Sequence, residues 1–192
     1  CHIGSQIFEL GPYQDAIQIV LAFAAQMREH GVELTEFSPG GGFALAYTRA
    51  QHAPAISEYA ERISRSMEQA LAQHHLERPS LHIEPGRSLS GRAMVAVYTV
   101  GARKEIPGVR TYVSVDGGMA DNIRPAMYGS SYEAVPVDRP LEEAVETVTI
   151  AGKYCESGDI LVPDAKLPRL EPGELIALPA SGGYNLAMSS NY

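Results

Sequence analysis

Residues 80–91 read SLHIEPGRSLSG, where a short apolar strand, Leu81-His82-Ile83, runs into a carboxylate, a Pro-Gly turn and a guanidinium. The strand is expected to be buried. A strand end followed by a glycine turn is where α/β proteins place groups that handle ligands. Glu84 and Arg87 therefore have two readings. As a strand-end ion pair they would add little stability if exposed. As two separate contacts, Glu84 would face a protonated nitrogen, and the planar fork of Arg87 a carboxylate or phosphate.

Five other stretches carry comparable groups. HIGSQ, residues 2–6, sets His2 and Ser5 around a glycine. The imidazole could stack on a flat ring and the hydroxyl bond a phosphate, or the segment is a capped turn before a helix. SPGGGF, residues 38–43, offers Gly40, Gly41 and Gly42. This is either a main-chain nest for phosphate or a flexible turn. DGGMADNIRPAMY, residues 116–128, presents Arg124 and Tyr128 after paired glycines. CESGD, residues 155–159, presents a thiol and two carboxylates. Cys155 either relays a proton or fills space as a small buried apolar group. SGGYNLAMSSNY, residues 181–192, places Tyr184 after two glycines, as a ligand contact or a buried structural tyrosine. The six histidines show no HxH or HExxH spacing, so no metal site is expected. No Walker motif, strand-borne GxGxxG or GxSxG is present.

The elements that must position these groups change character along the chain. Apolar residues at Ile17, Val20, Leu21, Ala24 and Met27 predict a helix from residue 11 to a C-cap at Gly31. Ile56, Tyr59, Ala60, Ile63 and Met67 predict a second helix over 54–76. Strands are predicted at 32–37 and 80–84. The alternation implies parallel βαβ units. Beyond about residue 92, AMVAVYTVGARKE, RTYVSVDGG, ETVTIAGKY and GELIALPA are β-branched strands broken by Gly, Pro and Asp. The fold class expected is α/β followed by all-β: residues 1–90 as strands and helices of an α/β layer, and residues 91–192 as an antiparallel β-sandwich or barrel-like domain. Three strand–helix units cannot close a (β/α)8 barrel, which needs about 250 residues.

Composition bounds the rest. The 192 residues are 45% hydrophobic and 20% charged, enough to build a core. A formal net charge of -8 argues against nucleic acid or an anionic membrane surface as partner. The two cysteines, Cys1 and Cys155, have no framework spacing, which fits a reducing compartment and a cytoplasmic location. No apolar run reaches spanning length. The opening CHIGSQIF has neither Met nor a basic leader, and MSSNY closes without a tail, so the chain reads as a piece of something longer.

Taken in order, HIGSQ, GGGF, EPGRS, DGGM with RPAMY, CESGD, and GGY with MSSNY resemble the diaminopimelate decarboxylase family of fold-type III pyridoxal-phosphate decarboxylases, over essentially the whole chain. The resemblance implies that residues 1–90 are the last strands and helices of a (β/α)8 barrel that binds pyridoxal 5'-phosphate. It implies that residues 91–192 are a β domain carrying substrate and proton-donor motifs. It implies that Glu84 faces the pyridine nitrogen and that His2 stacks on the ring. Ser5, Gly40, Gly41, Gly42, Pro85, Gly86, Arg87 and Tyr184 would hold the cofactor. Arg87, Arg124, Tyr128, Glu156 and Tyr184 would bind the substrate, meso-2,6-diaminopimelate, on its way to L-lysine in lysine biosynthesis. Cys155 would donate the proton that replaces carbon dioxide. Cys155 and Glu156 would reach the site of a neighbouring subunit in a homodimer. Glu156, where ornithine decarboxylases typically carry Asp, favours a substrate with a second amino-acid head group. Sister enzymes acting on ornithine or arginine, and a non-catalytic homologue, are the alternatives. Lys104, Lys153 and Lys166 are the only lysines, and none lies in a motif for the cofactor's Schiff base, so the chain is expected to be inactive alone.

Overall fold

The computed structural model describes residues 1–192. They form two compact units, residues 1–45 with 52–89, and residues 46–51 with 90–192.

In the first unit, α1 (Gly11–Arg28) buries Tyr13, Ile17 and Leu21, four residues apart, along one stripe. It stops earlier than the spacing predicts. Gly31 adopts φ +80, and the Val32 N–H turns back to the Met27 carbonyl at 3.1 Å. α2 (Ile56–His74) opens where the Glu58 carboxylate accepts the Ala55 N–H at 2.7 Å. Tyr59, Ile63 and Met67 of the predicted face are buried, whereas Ile56 is exposed and Ser66 and Ala70 complete the stripe. Only two residues of each predicted strand form ladder structure, β1 (Glu36–Phe37) and β2 (Ser80–Leu81), paired in parallel. Hydrogen bonds extend the pairing beyond them: Ser80 N–H to the Thr35 carbonyl and His82 N–H to the Phe37 carbonyl, both 2.9 Å. The core gathers Tyr13, Phe43 and Tyr59, with Phe43 stacked on Tyr59 at 4.6 Å and Tyr13 edge-on to both. The Leu81-His82-Ile83 strand is not buried: Leu81 is 41% and Ile83 49% exposed. The helices pack on Phe37 and Phe43, and no layer of this unit covers the two aliphatic side chains. A further turn, α3 (Gly86–Ser90), follows Glu84.

The second unit is a six-stranded sheet. Its strands are β3 (Ala96–Ile106), β4 (Arg110–Val115), β5 (Val135–Pro136), β6 (Glu146–Ala151), β7 (Ile160–Leu167) and β8 (Leu175–Leu178), in the order β5-β8-β3-β4-β6-β7. All pairs are antiparallel except β4 with β6, where Tyr112 faces Thr149 in parallel. The crossover between those two strands carries α4 (Arg124–Tyr128) and β5. An extra residue in β3 makes a bulge, since Val100 faces Val115 but Arg103 faces Val113. Ser114 Oγ fills it, accepting the Ala102 N–H at 2.8 Å and donating to the Ala102 carbonyl at 3.1 Å. β7 has no clean alternation in the sequence because Pro163 and Asp164 interrupt it. The structure keeps both residues exposed in a register shift, with Asp164 at φ +51. Val113, Ile150, Leu161, Ile176 and Leu178 form the buried face. No helix is long and apolar enough to cross a membrane.

Candidate active site

The first unit brings HIGSQ, the glycine run and EPGR side by side. Gly41 forms a parallel bridge with Glu84, and Ile7 one with Phe43. The glycines permit this approach. A Cβ on Gly41 would lie 1.8 Å from the Glu84 carbonyl oxygen, and one on Gly42, at φ +85, 2.2 Å from the Gly4 carbonyl oxygen. The run is thus a packed strand partner and not a flexible turn. Gly40 N–H donates to Ser38 Oγ at 3.0 Å, and Ser38 Oγ donates to Glu84 Oε1 at 2.9 Å. The exposed Glu84 carboxylate is in this way oriented by a serine that the sequence reading did not single out. Gly41 N–H points to His2 Nδ1 at 3.5 Å, and Tyr13 Oη donates to the Gly41 carbonyl at 2.6 Å.

Gln6, the last residue of HIGSQ, and Tyr59 pin the segment. The Gln6 amide bonds the Leu45 carbonyl and N–H at 2.9 and 2.8 Å. The buried Tyr59 hydroxyl accepts the Ala44 N–H at 3.0 Å and donates to the Ile7 carbonyl at 2.5 Å. Ser5 and His2 stay exposed on this anchored backbone. Arg87 is buried and donates to Ser5 Oγ at 3.1 Å. The Pro85 carbonyl accepts the Ser88 hydroxyl at 2.7 Å, and Gly86 N–H turns back to the Glu84 carbonyl at 3.0 Å.

In the second unit, Arg124 opens α4 and is only 6% exposed. Its guanidinium lies 5.3 Å from the Tyr128 ring and 5.9 Å from the Tyr47 ring, and donates to Ser130 Oγ at 3.1 Å. No carboxylate of the chain pairs with it, and Nε has no partner. Burying a cation without an anion is unfavourable by several kcal/mol, and the two ring faces and Ser130 are the contacts that offset it here. Below it, Tyr132 Oη donates to Asn185 Oδ1 at 3.3 Å, and burial pushes the phenol up to about 12. Tyr184 is 43% exposed and sits at φ +82. A tyrosine in that backbone region is strained, and such strain gathers at ligand sites; the buried structural reading is set aside.

Cys155 is an exposed free thiol, so it does not serve as a buried apolar filler. Glu156 is exposed beside it. Its Oε1 accepts a 2.6 Å hydrogen bond from Tyr192, and that bond is the main reason the Tyr192 phenol is pushed up to about 12. The loop meets α4: a Cβ on Gly158 would come 3.6 Å from the Ala126 methyl. Asp159, ending CESGD, is buried and bonds two main-chain N–H groups, a role no sequence signal separates from a catalytic carboxylate.

Residues 44–182 match the family model described as pyridoxal-dependent decarboxylase, C-terminal sheet domain. The whole chain is 47% identical to a diaminopimelate decarboxylase from Synechocystis, of which it covers 41%. It is 42% identical to the one from Bacillus subtilis, of which it covers 44%. The chain therefore spans less than half the length of these relatives. It superposes in full on 43% of the diaminopimelate decarboxylase from M. jannaschii, solved in complex with L-lysine, with a TM-score of 0.92 and 33% identity. A lysine/ornithine decarboxylase from Vibrio vulnificus shares the fold, with a TM-score of 0.84 at 24% identity.

Proposed function

This chain belongs to the pyridoxal-dependent decarboxylases, and on that premise we propose that it works as the C-terminal part of a longer enzyme converting meso-2,6-diaminopimelate to L-lysine. Residues 1–90 supply part of the cofactor-binding barrel, and residues 91–192 the sheet domain with the substrate and proton-donor groups. The enzyme is cytoplasmic and a homodimer whose subunits share their sites.

The donor set of the first unit fits pyridoxal 5'-phosphate. A ring nitrogen calls for an anion, and Glu84 provides one, oriented by Ser38. A phosphate calls for hydroxyl, cation and close backbone, and Ser5, Arg87 and the glycine segments provide them. His2 offers an exposed imidazole for stacking on the ring. When bound, the cofactor supplies an electron sink for the pair left as carbon dioxide departs. Glu84 keeps the ring nitrogen protonated. Pro85 and Gly86 set the turn that carries Arg87, and Tyr184 would serve as a further cofactor and substrate contact. Cys155 delivers the proton from Sγ to the substrate carbon that lost its carboxylate. The nucleophilic lysine lies outside these 192 residues, so this chain alone does not turn over.

The observation that carries the substrate assignment is Arg124, buried, without a carboxylate partner, and flanked by two tyrosine faces. A planar guanidinium held in that way suits the distal carboxylate of diaminopimelate, with Tyr128 beside it. Glu156 accepts the distal ammonium. Ornithine has no distal carboxylate and leaves Arg124 unsatisfied. The test is carbon dioxide release by the longer protein with cofactor, on diaminopimelate, ornithine and arginine side by side. Release from diaminopimelate alone is expected. Release from ornithine or arginine would keep the cofactor chemistry and overturn the substrate. Silence on all three would favour a non-catalytic homologue.

A further inference from the structure

We propose that Asp159 is a positioning residue: its buried carboxylate clamps the loop carrying Cys155 and Glu156 against the segment that leads into α4. What the loop does chemically rests on the decarboxylase reading above; the clamp itself does not. Asp159 is 3% exposed and has no cationic partner among the chain's ion pairs. Its two oxygens reach two separate segments instead. Oδ1 accepts the Met119 N–H at 2.6 Å, and Oδ2 accepts the Tyr154 N–H at 2.8 Å.

The surroundings are shaped around this carboxylate. A Cβ on Gly118 would lie 2.5 Å from Asp159 Oδ1, and one on Gly152 2.2 Å from either oxygen. Glycine at both positions lets the main chain close on the anion. The backbone shuts the loop at its base, with Gly152 N–H on the Asp159 carbonyl at 2.9 Å and Lys153 N–H on the Gly117 carbonyl at 3.0 Å. Asp159 N–H returns to the Glu156 carbonyl at 3.1 Å. Cys155 and Glu156 thus sit at the exposed tip of a loop whose interior is the Asp159 side chain. An asparagine cannot replace it. The amide has a single acceptor oxygen, so one of the two N–H groups would face an NH2.

The test is Asp159→Asn in the full-length enzyme loaded with pyridoxal phosphate. A misplacement of about 1 Å at the reacting groups costs on the order of 100-fold. We expect kcat on diaminopimelate to fall by about that factor while cofactor content is unchanged. We also expect a clearly smaller loss in a Cys155→Ala background, because the share that acts through Cys155 is not additive with it while the share through Glu156 remains. A folded, cofactor-loaded Asp159→Asn enzyme with kcat close to wild type would overturn the proposal. So would an equal loss with and without Cys155, which marks a merely structural role. If Asp159→Asn fails to fold, Gly118→Ala presses on the same carboxylate, and the same outcomes apply. Amide hydrogen exchange at Met119 and Tyr154 reads the clamp without catalysis. It should accelerate at least about tenfold in the variant, and unchanged exchange would overturn the clamp. Accelerated exchange with no carbon dioxide release by the wild type would leave the clamp standing and remove the decarboxylase reading.

Discussion

Replacing Tyr59 by phenylalanine isolates one hydroxyl. The ring stack on Phe43 at 4.6 Å and the edge contact with Tyr13 survive the change. What is lost is the link from the Ala44 N–H through the hydroxyl to the Ile7 carbonyl, in a side chain with no exposure. Leaving a buried backbone donor or acceptor unsatisfied costs about 1–3 kcal/mol. Two such groups, less the desolvation no longer required of the hydroxyl, give about 2–3 kcal/mol. Urea unfolding followed by far-UV circular dichroism is the assay. The helical signal comes mainly from α1 and α2, 18 and 19 residues long, which both lie in the first unit. With a slope of about 2 kcal/mol/M for a unit of this size, the midpoint should fall by roughly 1 M. The Ile7–Phe43 bridge should also loosen, and with it the backbone that presents Ser5. A midpoint within about 0.2 M of wild type, or a loss below about 0.5 kcal/mol, would refute the reasoning, because it would mean that water or a small shift satisfies both groups.

Three further outcomes follow from the same geometry. Gly41→Ala should cost more than about 3 kcal/mol, since its Cβ would sit 1.8 Å from a main-chain oxygen that no side-chain rotation can clear; an unchanged melting temperature would show that the strands can part. Glu146→Gln should cost about 1 kcal/mol, because Arg103 bonds both carboxylate oxygens of Glu146 across the intervening strand, with both side chains 20% exposed; the urea midpoint reads it. Burial pushes Tyr13 and Tyr132 from 10.0 up to about 12. Their folded forms hold the proton more tightly than the unfolded chain does, so their contribution is complete below pH 10 and is lost between about 10 and 12. Phenolate absorbance should therefore lag and then rise together with loss of circular dichroism, and a smooth titration of all ten tyrosines near pH 10 with the fold intact would contradict it.

The helices were legible because their signal is local. Ile17 with Leu21, and Tyr59 with Ile63 and Met67, repeat at the period of one helix face, and nothing distant is needed to read them. The strands of residues 96–115, 146–151 and 175–178 were legible for the same reason, as β-branched runs between turn residues. The order of the ligand-handling motifs is likewise a property of the sequence, and the family likeness with its cofactor rests on it.

Contacts between remote segments were not legible. Pro163 and Asp164 hide β7, because a bulge suppresses the alternation that marks a strand. The parallel pairing of β4 with β6 depends on where a crossover lands, and no local pattern encodes that. Leu81 and Ile83 read as buried because apolarity is a residue property, whereas burial depends on which layer packs above. Four carboxylates, Glu84, Asp116, Glu156 and Asp159, stand in comparable motifs, yet one is turned by Ser38, one takes the Thr99 N–H, one holds Tyr192 and one is buried in a loop. The chain by itself determined its periodicities and the inventory of its chemical groups. Tertiary structure alone decided which of those groups stay in water, which are enclosed, and which main-chain donors they meet, because hydrogen-bond partners and desolvation are set by segments far apart in the chain.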